Sequence, residues 1–181
     1  MIATLRKATS ADIPALAELI AASVRGLQPE YSPRQREAAL LAIFTPDRQL
    51  IADRTYFIAE VDGIIAGCGG WSKRKTLYGG DDAPVRDAAL LDPSADPAKI
   101  RAFFIHPDFA RRGIGSQILA ACEDEARDAG FRAAEMAATL AGVPLYLARG
   151  YTEIEPLTAP LPDGSGLAIV RMRKQLTPNE A

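Results

Sequence analysis

A chain of 181 residues, 48% hydrophobic and 24% charged, has the balance of a globular protein and is long enough to bury roughly 70% of its unfolded surface. That composition excludes a mostly disordered chain. A net charge of −2 and a pI near 5.5 argue against nucleic acid as a partner, because such binders present a basic face. No run of about 18 apolar residues occurs and Met1 to Lys7 lacks a secretory apolar core, so a cytoplasmic protein with no membrane partner is expected.

In chain order, Ile2 to Arg6 reads as a short strand. Thr9-x-x-Asp12 resembles a capping box ahead of Ile13, Leu16, Ile20 and Val24, which recur at helical spacing with Pro14 in the first turn. Gly26 to Pro33 breaks that pattern, and Gln35 to Phe44 reads as a second helix with Leu40, Leu41 and Phe44 facing inward. Thr55 to Val61 and Ile64 to Trp71 flank Asp62-Gly63, a two-residue hairpin signal that predicts adjacent antiparallel strands. Lys73 to Ala98 has little periodicity, and its length suits either a substrate rim or a mobile surface excursion.

Lys99 to Ile105 then reads as a strand. A helix follows over Ile114 to Ala129, its apolar stripe made by Ile114, Ile118, Leu119, Cys122 and Ala126, with Gly130 ending it. Phe131 to Ala138 forms a further strand and Gly142 to Arg149 a short helix capped by Gly150. Tyr151 to Ile154 and Leu167 to Lys174 are the last strands, separated by a turn at Pro160 to Gly164. With no repeat and no linker, residues 1–181 read as one three-layer α/β (α+β) domain around a mixed, largely antiparallel sheet.

The run Arg111-Arg112-Gly113-Ile114-Gly115-Ser116 joins a strand to a helix and suits an anion. Its glycines let backbone amides turn toward a bound oxyanion, and the following helix adds free amides and its positive end. A side chain at Gly113 or Gly115 is expected to push those amides away. A pyrophosphate is the natural guest. Walker A fails because Gly115 is followed by Ser116-Gln117 and not by Lys-Ser or Lys-Thr. The dinucleotide fingerprint of an oxidoreductase fails because Ile118 stands where its third glycine is needed.

With Ala102 to Phe109 before it and Ile118 to Cys122 after it, this stretch resembles the acetyl-CoA-binding motif of the GNAT superfamily of N-acyltransferases. Pro144-Leu145-Tyr146-Leu147-Ala148-Arg149-Gly150-Tyr151 is similar to a later family helix ending in Tyr-x-x-x-Gly-aromatic. Two departures stand out: Ala110 replaces the usual Gln or Arg before the first glycine, and Thr139 replaces a common Asn. The resemblance implies acetyl-CoA as co-substrate, held by Phe103, Phe104, Ile105, Arg111, Arg112, Gly113, Ile114, Gly115 and Ser116. It also implies that Tyr146 attends the departing sulfur, that the strands near Phe104 and Ala134 run parallel and splay apart, and that a homodimer would be unsurprising.

The implied reaction is attack of a primary amine, from a small molecule or a peptide, on the thioester. A lysine-like amine of pKa ~10.4 costs ~4.6 kcal/mol to neutralise at pH 7. Glu30, Asp81, Asp82 and His106 are candidate bases, with solvated loop charges as the alternative for the carboxylates and turn-setting for the histidine. Trp71, Tyr78 and Tyr31 could line an amine-binding mouth or serve as core anchors. Cys68, Cys122 and the single His106 offer no metal spacing, so buried thiols and no metal are expected. The alternative to an enzyme is a module that senses acyl-CoA without transferring its acyl group.

Overall fold

Alternation along the chain decides the architecture: Phe57, Ala59 and Val61 enter one buried cluster, whereas Tyr56 and Ile58 enter another. The computed structural model describes residues 2–84 and 86–177. Met1, Val85 and residues 178–181, which fall within the expected 1–181 domain, lie outside them. Seven strands form one sheet: β1 (Thr4–Lys7), β2 (Tyr56–Val61), β3 (Ile64–Ser72), β4 (Ala98–Ile105), β5 (Ala133–Thr139), β6 (Thr152–Pro160) and β7 (Gly166–Gln175). Their order is β1-β2-β3-β4-β5-β7-β6, antiparallel throughout except where β4 meets β5.

Five helices cover the two faces: α1 (Ile13–Leu27), α2 (Pro33–Leu40), α3 (Arg48–Ala52), α4 (Ile114–Asp128) and α5 (Val143–Ala148). Helices α1 to α3 pack over Tyr56, Ile58 and Cys68, and α4 and α5 over Phe57, Ala59 and Ala66, which gives the expected three layers. In α1 the buried stripe is Leu16, Leu19, Ile20 and Val24, and in the 3₁₀ turn Ser10–Asp12 just before it Asp12 accepts the Thr9 amide at 2.8 Å, as the capping box requires. In α4 it is Ile114, Ile118, Leu119, Cys122 and Ala126, as the periodicity predicts. Each large apolar side chain buried this way contributes roughly 1.5–3 kcal/mol. The hairpin also forms as read, with Asp62 and Gly63 both left-handed at φ 52° and 77°.

The structure corrects the bounds of the second helix and adds a helix that the sequence reading lacks. The second helix starts at Pro33 and ends at Leu40, because Ser32 caps the Gln35 amide and Pro33 begins the first turn. Its end is a wide turn in which the Ile43 and Phe44 amides share the Ala39 carbonyl, leaving Leu41 exposed while Phe44 turns inward. Helix α3 was not anticipated; Asp47 starts it by accepting the Leu50 amide at 3.1 Å. In the 73–98 excursion, for which a rim and a mobile excursion both stand open, the described limbs are cross-linked by bonds from Lys75 to Ala89, Thr76 to Asp87 and Leu91 to Lys73. Among the described residues, no helix is long and apolar enough to cross a membrane.

Candidate active site

The parallel pair β4–β5 is joined only at Ala98–Ala134 and Lys99–Glu135. Beyond that point the strands part. The cause lies in β4, where Phe104 and Arg101, three positions apart, pair with Cys68 and Gly70, only two apart. The extra residue is absorbed at Ala102, which adopts φ 57°, and such a bulge bends its strand. At the closed end, Lys99 donates to Glu135, which Arg171 also grips at 2.8 Å, so the buried carboxyl sits below its usual range despite desolvation.

A cavity of about 80 Å³ occupies the gap and runs through the sheet. One side carries Ile100, Met136 and Tyr146 from the α4 layer; the other carries Phe44, Phe104 and Ile169 from the α1 layer. Tyr146 is buried by α5, edge-on to Phe103 at 6.2 Å and to Tyr151 at 5.8 Å. Burial, and less strongly the nearby Cys122, pushes its phenol well above the ordinary tyrosine value. Room for this packing comes from β3: a side chain on Gly69 would meet the Phe103 ring at 2.6 Å, and one on Gly67 would meet Ile105 at 2.7 Å.

The anion turn follows β4 through a short 3₁₀ segment, Pro107–Phe109. Arg111 and Gly113 are left-handed at φ 62° and 83°, and Gly113 is the N-cap of α4. Helical bonding starts with the Gln117 amide on the Gly113 carbonyl at 3.1 Å, so the amides of Ile114, Gly115 and Ser116 have no partner within the helix. Arg111 and Arg112 are exposed beside them, and Arg149 joins from the end of α5 by donating to Ser116 Oγ at 3.0 Å. Gly113 opens on free space. Gly115 instead faces inward, where an added carbon would lie 3.1 Å from Leu145 Cδ2, so that glycine serves α4–α5 packing and not the turn's outer surface.

A profile of the acetyltransferase (GNAT) family matches residues 17–151 of this framework. The chain belongs to the GNAT acetyltransferases. Solved structures of similar fold include a GCN5-related N-acetyltransferase from Rhodopseudomonas palustris, at 23% identity and TM-score 0.76 over 97% of each chain. The PaiA N-acetyltransferase of Thermoplasma acidophilum, solved with coenzyme A, has 14% identity and TM-score 0.69 over 97% of this chain and 99% of its own. The yncA protein of Salmonella typhimurium, solved with its cofactor acetyl-CoA, has 18% identity and TM-score 0.61 over 100% of this chain and 98% of its own. No curated protein sequence matches.

Within this GNAT framework the candidate bases do not come together. Glu30 and Asp82 are exposed, and Asp81 accepts the Arg48 amide at 2.9 Å and its guanidinium at 2.8 Å. His106 turns its Nδ1 to the Asp108 amide at 3.2 Å and sets the turn. None of the four lines the cleft; nor do Trp71 and Tyr31. Trp71 packs under α4 with its indole on Glu125 at 2.9 Å, and the Tyr31 hydroxyl donates to Ala168 O at 2.6 Å while accepting from Leu140 N at 3.0 Å. Tyr78 alone of those aromatics reaches the cleft. Cys68 and Cys122 are buried free thiols, as expected.

Sequence reasoning missed the end of the cleft opposite the anion turn. Thr45, Gly79, Gly80 and Arg101 meet there, brought by the turn after α2, the 73–98 excursion and β4. Asp47, fully buried, receives Arg101 and Arg86, and both guanidiniums also hold the Gly79 carbonyl. Lys99 and Arg101 interrupt an otherwise apolar strand before the bulge, a local sign that buried acids need cations there.

Proposed function

We propose that the chain transfers the acetyl group of acetyl-CoA to a primary amine of a small molecule or peptide by direct attack of nitrogen on the thioester carbon. The observation that carries this reading is the left-handed turn at Arg111 and Gly113, ending in the free amides of residues 114–116 at the mouth of a split strand pair that holds Tyr146. Those amides, the end of α4 and the three arginines would take the pyrophosphate. The edge of β4 that β5 leaves unpaired beyond Lys99 would guide the pantetheine arm toward Tyr146, while the Ile105 amide itself donates to Ser23 Oγ at 3.2 Å.

In the transfer, the N–C bond forms as the C–S bond breaks, and the amine loses its protons to solvent. Among the described residues no carboxylate or imidazole lines the cleft, so an amine entering it is desolvated, which favours its neutral form. Tyr146 meets the sulfur as it departs. Because the phenol is pushed above its ordinary value while a thiol titrates near ~8.5, giving up the proton would be uphill by ~2 kcal/mol or more. Tyr146 therefore stabilises the thiolate by donating a hydrogen bond and keeps its proton.

The lack of a base in the cleft lends support to the second reading, a module that binds acyl-CoA without turnover. Thiol release from acetyl-CoA across an amine panel separates the two. Transfer predicts release above the buffer control together with an acetylated amine by mass; binding of the cofactor with no release for any amine contradicts transfer.

A further inference from the structure

The Arg101 side chain is 2% exposed, and its guanidinium is only partly satisfied by the protein. Of its five N–H donors, the two on Nη2 go to Asp47 and to the Gly79 carbonyl. Nε and Nη1 are buried with no acceptor. The hydroxyl of Thr45, which lines the same end of the cleft and lies against Gly80, is likewise buried without a partner. Leaving such groups unpaired is expensive, and native proteins accept it mainly where a ligand or water completes the set.

The charge balance has the same sign. Arg86 and Arg101 converge on one carboxylate, Asp47, so the groups gathered at Gly79 carry one net positive charge. Among the described residues no Asp or Glu lines the cleft to offset it. A polyamine or an amino-sugar would bring further cations into that field, which is unfavourable for a second ammonium so close to a buried guanidinium.

We propose that the amine acceptor carries a carboxylate, bound against Arg101 and Thr45 at the end of the cleft opposite the anion turn, so that the substrate is an amino-acid-like molecule. The acid group supplies the missing acceptors for Nε, Nη1 and the threonine hydroxyl and neutralises the surplus charge. The amine then lies toward the bulge at Ala102 and the Tyr146 side of the gap. This assignment rests on the transfer reading above, and it adds the side of the acceptor that the anion turn does not touch.

The test uses the whole chain and matched substrates: amino acids, each against its own carboxamide, with spermidine as a cationic control, read by thiol release. A neighbouring carboxylate raises the pKa of an amine, so the amide offers more free base at neutral pH and any preference for the acid comes from recognition. The proposal predicts kcat/KM at least tenfold higher for the acid than for the amide in the best pair, and little turnover of spermidine. Thr45→Val and Arg101→Lys should each lower the acid-to-amide ratio severalfold, a readout that a change in folded fraction does not move. Turnover of amides or spermidine equal to or faster than the acids would overturn the carboxylate assignment and leave acetyl transfer standing. Cofactor binding with no thiol release for any amine would overturn transfer itself and the assignment with it.

Discussion

At one end of the cleft, residues 110–116 shape an anion turn from a single stretch of main chain; at the other, Asp47 and Arg101 meet across 54 positions, with the 73–98 excursion laid over them. The first end works through backbone amides and left-handed conformations, the second through buried side chains. Changes at the turn should therefore act on cofactor binding and leave the far end intact, whereas changes at the far end should act on stability and acceptor use. Tyr146 sits between them and should affect neither binding step.

The largest effect on turnover belongs to that middle position. Tyr146→Phe should lower kcat by roughly 10- to 1,000-fold while coenzyme A affinity stays within about twofold, because only the bond to the leaving sulfur is lost. Since burial raises the phenol's pKa, the hydroxyl stays protonated through the working range, and the wild-type kcat profile should show no alkaline fall from Tyr146 up to about pH 10. A weaker grip on the cofactor in the Phe variant would merge the middle with the turn and break the division.

At the far end, Asp47→Ala leaves Arg101 and Arg86 without their shared carboxylate, and removing one partner of a buried pair costs about 3–5 kcal/mol. Urea denaturation should register that loss, while calorimetry on the folded fraction should find coenzyme A bound as in the parent. At the turn, Gly113→Val forces a β-branched residue to φ 83° and should weaken cofactor binding by roughly 5- to 100-fold, from ~1–3 kcal/mol of strain. Gly115→Val makes a useful partner: its side chain would press on Leu145 and shift α5, so turnover should fall further than cofactor affinity. The smallest effect is a null one. Burial drives the Cys68 thiol up to about 12 and Cys122 also up, so neither should react with a thiol reagent at pH 8 until the protein is unfolded.

These two ends also differ in how far the sequence reveals them. The turn is contiguous, and its requirements of two glycines, flanking arginines and a strand before and a helix after can be read from Phe103 to Cys122 alone. The same holds for α1, α4 and the Asp62-Gly63 hairpin, whose periods and turn residues are local. The far end is non-local: nothing near Thr45 or Asp47 announces that Arg101 will reach them, and α3 is only five residues long. Amine transfer asks for a base and so points to loop carboxylates, yet Asp81 is held by Arg48, and Glu30 and Asp82 face solvent. Trp71 and Tyr31 were candidates for the mouth because aromatics suit both roles; their hydrogen bonds to Glu125 and Ala168 make them core anchors. The length of the 73–98 segment suits a rim and a mobile excursion alike, and which part of it meets the cleft depends on the Arg86 and Arg101 bonds to Gly79.

The central claim is that the turn ending in Gly113 holds a diphosphate through main-chain amides, and calorimetric titration of coenzyme A into the wild-type chain and into Gly113→Val tests it most directly. The account predicts a saturable heat for the wild type at about 1 μM to 1 mM ligand, the usual range for enzyme substrates, and markedly weaker binding by the folded variant. No heat at millimolar coenzyme A, or equal affinity in the two proteins, would contradict it.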